Sequence, residues 1–175
     1  MIDKQFTFII RQKFTFVQEK ETTKSRDLTE VFDAPDTGCI VALDIGTKRF
    51  GVAVCDELQF TTRPVCNVKR FGWKKLLKEI INILEELDAK ALVIGLPYNS
   101  DGTESEMSLN VRRLARNFSL SLKIPVYLQD ERVTSFEAKN LLYQQGFNPK
   151  EIVQRVDSEA AAIILSDFLD RKKKK

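Results

Sequence analysis

The sequence contains no histidine. Without an imidazole there is no Ser-His-Asp or Cys-His catalytic group, no histidine general base and no histidine-rich zinc site. Hydrolysis by such a chain must depend on carboxylates with a hard metal ion, or on lysine.

Cysteine and long apolar runs are also scarce. The three cysteines, Cys39, Cys55 and Cys66, lie in apolar segments without a C-x-x-C spacing, which favours buried thiols over a disulfide frame or a zinc site. No apolar stretch approaches the roughly 18 to 20 residues of a membrane span, and the N-terminus lacks the apolar core of a secretion signal. We therefore expect a cytoplasmic protein with no membrane segment.

The composition that remains is that of a globular domain. Of 175 residues, 43% are hydrophobic and 30% charged, and the formal net charge of +3 is compatible with a polyanionic partner without establishing one. We expect residues 1–37 to be an appended arm that is either an edge hairpin or disordered. Phenylalanines alternate with polar residues in its first half, which favours a hairpin, while its second half is polar and shows no periodicity. We expect the main domain to cover 38–170 and a loose basic tail to cover 171–175.

The order of the predicted elements indicates the fold class. The predicted strands span 39–44, 49–55, 59–68, 91–96 and 125–129. The predicted helices cover about 73–87, a segment opening at the capping-box pattern Thr103–Glu106, a segment from Thr134 to Gly146, and about 158–169. Three strands in quick succession favour an antiparallel meander, and the later strands need helical crossovers. We expect an α/β fold with a mixed five-stranded sheet flanked by helices.

Four carboxylates stand at the ends of these elements: Asp44 after the first strand, Asp130 and Glu131 after the last, and Asp157 before the last helix. Hard divalent cations prefer such ligands, and paired ions activate water and stabilise a leaving phosphate oxygen. The competing interpretation is an N-cap role for Asp157 and solvated turn positions for the others. In an extended strand Asp130 and Glu131 point to opposite faces, so periodicity does not choose between them.

Cations near these positions suggest contacts with phosphates. Candidates are Lys48 and Arg49 beside Asp44, Arg132 beside Glu131, Arg112 and Arg116 on the helix after residue 103, and the loop 96–103 that contains Asn99. Arginine suits bidentate phosphate pairing, and amides at a helix N-terminus hold anions. The alternatives are simple solvation of a helix face, ordinary turn chemistry, and a lysine tail that adds only nonspecific attraction.

Together these motifs resemble the YqgF/RuvX family from about residue 38 to residue 169. The matching segments are Ala42–Ala53 (ALDIGTKRFGVA), Gly95–Pro97 (GLP), Asp101–Glu104 (DGTE), Asp130–Ser135 (DERVTS) and Val156–Ala161 (VDSEAA). That family consists of bacterial RNase H-like proteins, first proposed as Holliday junction resolvases and later assigned to maturation of the 5′ end of 16S rRNA. The resemblance implies an RNase H-like fold and a divalent-metal nuclease with acidic residues at Asp44, Glu131 with its neighbour Asp130, and Asp157.

We therefore expect a Mg²⁺- or Mn²⁺-dependent endonuclease acting on structured RNA, foremost precursor 16S rRNA. Asp44 and Asp157 would bind metal, Glu131 or Asp130 would complete the site, and Lys48, Arg49 and Arg132 would hold the backbone. A resolvase of branched DNA, acting as a homodimer, uses the same residues, so the sequence leaves monomer and homodimer open.

Two other classes of protein share some of these sequence features. A nucleic-acid-binding or transcription-associated factor without hydrolysis is disfavoured by the retained carboxylates. A kinase of the actin and sugar-kinase type has a similar Asp-x-Gly-Thr turn but needs two such domains, and the chain contains no Walker-type G-x-x-x-x-G-K-[ST].

Overall fold

The computed structural model describes residues 33–99, 101–131 and 140–174. Its strands are β1 (Ile40–Ile45), β2 (Arg49–Cys55), β3 (Thr62–Lys69), β4 (Ala91–Leu96) and β5 (Val126–Asp130). They form one sheet in the order β3-β2-β1-β4-β5, in which β1 and β2 pair antiparallel, as do β2 and β3, while β4 pairs parallel with both β1 and β5. The predicted mixed five-stranded sheet is confirmed.

The third strand begins later than the predicted 59–68. Gln59 lies in the turn between β2 and β3 with a left-handed φ of 59°. The Gln59 backbone amide donates to Asp56 O at 3.0 Å, and the Asp56 backbone amide donates to Thr61 O at 3.1 Å. The chain therefore reverses before β3 begins to pair with β2 at Thr62.

Three helices cover the two faces of the sheet: α1 (Trp73–Glu86), α2 (Glu106–Ser121) and α3 (Pro149–Lys173). Because side chains alternate along a strand, β1 sends Val41 and Leu43 to one face and Ile40 and Ala42 to the other. The first face packs in one cluster with buried residues of α1 and α2, and the second in another cluster with buried residues of α3. The small side chains on the second face let α3 lie close to the sheet.

The prediction for the last helix was wrong at its start. Instead of beginning at 158, α3 begins at Pro149, behind a capping box in which Asn148 Oδ1 accepts from the Glu151 amide at 3.1 Å and Glu151 Oε2 accepts from the Asn148 amide at 2.9 Å. Asp157 therefore lies inside the helix and is not its N-cap. The sequence signal for this start, Asn-Pro-x-Glu, was missed.

The start of α2 also differs in detail from the prediction. Its capping box joins Ser105 and Ser108, not Thr103 and Glu106, with the Ser105 hydroxyl accepting from the Ser108 amide at 3.2 Å. The predicted helix end at Gly146 is confirmed, since Gly146 has φ +83° and follows helical residues 140–144. The predicted start of that helix at Thr134 and the arm over 1–32 lie outside the described residues.

The predicted loose tail is wrong for residues 171–173, because α3 continues to Lys173. The Lys172 ammonium donates to Gln59 Oε1 at 2.8 Å and to Pro35 O, and Gln59 Nε2 donates to the carbonyls of Pro35 and Gly38 at 3.0 Å each. These bonds tie the end of α3 to the β2–β3 turn and to the segment before β1.

The three cysteines are free thiols; Cys55 is buried, as predicted, whereas the prediction of burial is wrong for Cys39 and Cys66, which are only partly buried. Within the described ranges, the helices include none that is long and apolar enough to cross a membrane.

Candidate active site

Asp44 is a buried carboxylate near the end of the central strand, with 8% of its surface exposed. It shares the α3 face of β1 with Ala42, two residues earlier. Its partner on β2 is Gly51, and Gly95 of β4 follows Ile94, the partner of Leu43. A glycine therefore flanks Asp44 on each neighbouring strand, which leaves room above the sheet on both sides of the carboxylate.

Gly51 allows the backbone of α3 to reach the sheet. A Cβ atom at this position would lie 1.8 Å from the Asp157 carbonyl oxygen and 2.7 Å from the Ser158 amide nitrogen. Glycine within a strand often marks such a close approach of another backbone. This contact brings Asp157 of α3 beside the strand next to Asp44.

Gly95 provides the corresponding space for Glu131. A Cβ atom there would lie 2.1 Å from Glu131 Oε2 and 2.6 Å from Ile164 Cδ1 of α3. The Glu131 amide donates to Leu96 O at 3.2 Å, which fixes the chain directly after β5. Of the two neighbouring acids, the structure places Glu131 next to Asp44.

Asp130 lies in a different environment from Glu131. It lines an open cleft on the side of the last turns of α3, together with Gln129, Asp167, Asp170, Arg171 and Lys174. The two acids that the sequence did not distinguish therefore lie in different places: the Glu131 carboxylate lies over Gly95 with its Oε2 buried, and Asp130 lines this cleft.

Burial makes both inner carboxylates weak acids. Removal from water, and secondarily the charge of Asp157, raises the pKa of Asp44 to about 7. Burial, followed by the charges of Asp44 and Asp130, raises the pKa of Glu131 to about 8. Among the described residues Glu131 Oε2 has no hydrogen-bond partner although it is buried. A proton or a cation between these carboxylates would remove the repulsion and satisfy that oxygen.

Asp157 is neutralised by Arg49 of β2. Arg49 Nε donates to Asp157 Oδ2 at 2.9 Å, and the two side chains are 34% and 22% exposed. In the described part of the chain, no three Asp, Glu or Cys side chains are grouped closely enough to hold one metal ion. Asp44 and Glu131 are thus brought together, and Asp157 adjoins them while paired to Arg49.

The donor set nevertheless suits a hard divalent cation. It contains carboxylate oxygens, the buried Asp44 lies beside the partly buried Glu131, and among the described residues the buried Glu131 Oε2 lacks a hydrogen-bond partner. Such cations take oxygen ligands and accept carboxylates together with waters, so two protein ligands and a third nearby are sufficient. The residues fit the predicted metal in chemistry, with Asp157 requiring a side-chain rotation away from Arg49.

The predicted phosphate-binding residues are distributed more widely. Lys48 is exposed in the β1–β2 loop, and Asn99, in the loop after β4, donates from Nδ2 to Thr103 Oγ1 at 2.9 Å. Arg112 of α2 is tied to the loop between β4 and α2. It donates from Nε to Glu104 at 2.7 Å and from a terminal nitrogen to the Tyr98 hydroxyl at 3.2 Å.

Another arginine of the predicted set, Arg116, is not brought to the carboxylates. Arg116 is exposed on α2, which packs on the sheet face opposite α3. Arg132 lies outside the described residues.

Gly51 and Gly95 were not predicted as site residues from the sequence. Gly51 and Gly95 each interrupt an apolar strand, and an isolated glycine in a strand pattern is the available signal for close approach of another group. Their pairing with Asp44 depends on the strand register, which the sequence does not specify.

A family model described as "RuvX: Holliday junction resolvase" matches residues 38–171. The chain belongs to the RuvX family. The resemblance to YqgF/RuvX proteins is confirmed.

Similar members of the RuvX family come from several bacteria. A protein of Anaeromyxobacter dehalogenans named "Putative pre-16S rRNA nuclease" is 39% identical over 132 residues, covering 75% of this chain and 96% of the relative. A protein of the same name from Synechococcus elongatus is 35% identical over 133 residues, covering 76% of this chain and 89% of the relative. Among solved structures, the yeast mitochondrial Holliday junction resolvase Ydc2 aligns with a TM-score of 0.47 at 14% identity, covering 91% of this chain and 93% of that one. Thermus thermophilus RuvC in complex with a Holliday junction substrate aligns with a TM-score of 0.45 at 15% identity, covering 77% of this chain and 95% of that one.

Proposed function

We propose that this protein is a divalent-metal-dependent endonuclease that processes the 5′ end of precursor 16S rRNA. Membership of the RuvX family supports phosphodiester hydrolysis, and the names of its bacterial relatives support precursor rRNA as the substrate. The observation that carries the proposal is the pair of the buried Asp44 and the partly buried Glu131, beside Asp157, at an end of the sheet where Gly51 and Gly95 leave space. Action on pre-ribosomes implies a cytoplasmic location.

In the proposed mechanism, Asp44, Glu131 and Asp157 would hold Mg²⁺ or Mn²⁺. When bound, such an ion polarises the phosphodiester and lowers the pKa of water. Asp44 and Glu131 would release any protons they hold when the cation binds. Arg49 leaves Asp157 and, with Lys48, offers positive charge to the substrate phosphates.

The proposed site gives metal-free protein an unusual pH dependence. Folding raises the pKa of Asp44 from its ordinary 3.8 to about 7 and that of Glu131 from 4.5 to about 8. The folded state therefore binds more protons than the unfolded chain between these values, so its free energy of unfolding falls as pH rises through that window. We expect a loss of a few kcal/mol between about pH 5 and pH 8, measured by urea denaturation in a chelator.

The control for this prediction is the variant Asp44→Asn. Because the chain has no histidine, no imidazole titrates in the same window, and the pH profile reports mainly on the site. Asp44→Asn should reduce the slope and leave the part that comes from the burial of Glu131. A native-like slope in this variant would show that other groups cause it.

The proposed function is tested by incubating purified protein with precursor 16S rRNA, with and without a chelator. Cleavage at the 5′ end that requires Mg²⁺ or Mn²⁺ is the expected result. Binding without cleavage, unaffected by the chelator, would instead identify a nucleic-acid-binding factor.

The description of the matching family model favours one second candidate, a resolvase of four-way DNA junctions. Symmetric cutting of two strands requires a homodimer, whereas rRNA processing is compatible with a monomer. Both substrates should be compared side by side while the oligomeric state is measured. Faster cleavage of the junction by a dimer would replace precursor rRNA as the proposed substrate.

A further inference from the structure

Two loops at the Asp44 edge of the sheet are joined into one surface. The β1–β2 loop contains Gly46 and Lys48, and the β3–α1 loop contains Arg70. The Arg70 amide donates to Lys48 O at 3.0 Å, and a terminal guanidinium nitrogen of Arg70 donates to Gly46 O at 3.3 Å. The exposed side chains of both loops therefore occupy fixed positions relative to one another.

This surface is basic and carries one exposed aromatic ring. Phe71 is 38% exposed, and the Lys75 ammonium lies 3.7 Å from its ring centroid. Neither 46–48 nor 69–75 contains an acidic residue. We call this surface the Phe71 patch; it consists of Lys48, Lys69, Arg70, Phe71, Lys74 and Lys75, all exposed.

The Phe71 patch adjoins the candidate active site through Arg49. Arg49 pairs with Asp157 at 2.9 Å and faces Lys69 across the β2–β3 ladder. If a phosphate of a nucleic-acid strand lies at the carboxylates of the candidate active site, the neighbouring nucleotides therefore contact the Phe71 patch.

We propose that the Phe71 patch binds a single-stranded RNA segment next to the cleavage point, with an unpaired base stacked on Phe71. The inference rests on the proposed function, because the patch gains this role from cleavage at the neighbouring carboxylates. An exposed ring flanked by lysines suits single strands, since bases stack on aromatic side chains irrespective of sequence while cations follow the backbone. In a duplex the base faces are occupied by their neighbours, which leaves Phe71 nothing to stack on. The substrate class is thus structured RNA with an unpaired flank at the cut.

The test measures binding without metal, by fluorescence anisotropy of an RNA of about ten nucleotides, single-stranded or in a blunt duplex. Phe71→Ala should weaken single-strand binding by about tenfold and leave duplex binding unchanged, while Phe71→Trp should retain affinity. Lys75→Gln should reduce the slope of log Kd against log salt by about one.

Phe60→Ala is the matched control. Phe60 is also an exposed phenylalanine, at 71%, with the Lys173 ammonium 5.8 Å from its ring centroid, but it lies in the β2–β3 turn at the other edge of the sheet. Its substitution should not change binding. A 2-aminopurine base in the strand should be quenched by native protein and not by Phe71→Leu, which reports stacking directly.

Equal affinities for Phe71→Ala and Phe60→Ala, or a native preference for duplex, would overturn the inference. The outcome is separate from that of the proposed function. Metal-dependent cleavage with no effect of Phe71→Ala on binding rejects only the patch. Stacking on Phe71 without any cleavage by native protein rejects the nuclease and leaves the patch as a single-strand binding site with no relation to a cut.

Discussion

Replacing Asp44 with asparagine should reduce RNA cleavage by on the order of 1000-fold, equivalent to about 4 kcal/mol of transition-state stabilisation. Asparagine keeps the shape of the side chain but cannot supply the negative charge that a divalent cation requires. Because burial and the charge of Asp157 raise the pKa of Asp44 to about 7, removing its charge relieves repulsion in metal-free protein. The variant should therefore be at least as stable as native protein at about pH 8. Single-turnover cleavage and urea denaturation measure the two effects.

The neighbouring acids give this prediction its controls. Glu131→Gln should lose cleavage as Asp44→Asn does, because Glu131 lies over Gly95 beside Asp44. Asp130→Asn should retain most activity, since Asp130 lines the separate cleft of Asp167 and Asp170. Activity that survives Asp44→Asn, or that is lost with Asp130→Asn and kept with Glu131→Gln, would contradict the assignment.

Replacing Gly51 with alanine should lower the free energy of unfolding by about 3 kcal/mol or more. The added Cβ would lie 1.8 Å from the Asp157 carbonyl oxygen, and this contact is with helix backbone, which cannot rotate away as a side chain does. Either α3 shifts from β2, which moves Asp157 and breaks its pair with Arg49, or the domain unfolds. Urea denaturation in a chelator measures the change.

Gly95→Ala is the matched comparison for Gly51→Ala. Its Cβ would meet the ends of two side chains, Glu131 Oε2 at 2.1 Å and Ile164 Cδ1 at 2.6 Å, both of which can move. We expect a smaller loss of stability but a clear loss of metal affinity, because the Glu131 carboxylate is displaced. Equal stability of Gly51→Ala and native protein would mean that α3 does not rest on β2 as described.

The sheet was predictable because its sequence signals are local. Apolar runs of strand length, short turns between the first three and helical periodicity before β4 each specify one element, and the connection lengths then separate antiparallel from parallel pairing. The helix start at Pro149 was equally local, but Asn148 and Glu151 were not read as a capping box. That omission placed Asp157 at a helix end.

The details of the candidate site depend on contacts distant in sequence. Asp44 is recognisable from its turn, but its position between Gly51 and Gly95 requires the strand register. The choice of Glu131 over Asp130 follows from the space above Gly95. The Arg49–Asp157 pair joins residues 108 positions apart, and no pattern along the chain indicates it.

The central claim is that Asp44, Glu131 and Asp157 hold a divalent cation together. The most direct measurement is a crystal structure with Mn²⁺, located by its anomalous scattering. The prediction is a peak about 2.1 Å from carboxylate oxygens of Asp44 and Glu131, with Asp157 turned towards it and released from Arg49. A peak elsewhere, or no peak at a concentration of Mn²⁺ that supports cleavage, would contradict the claim.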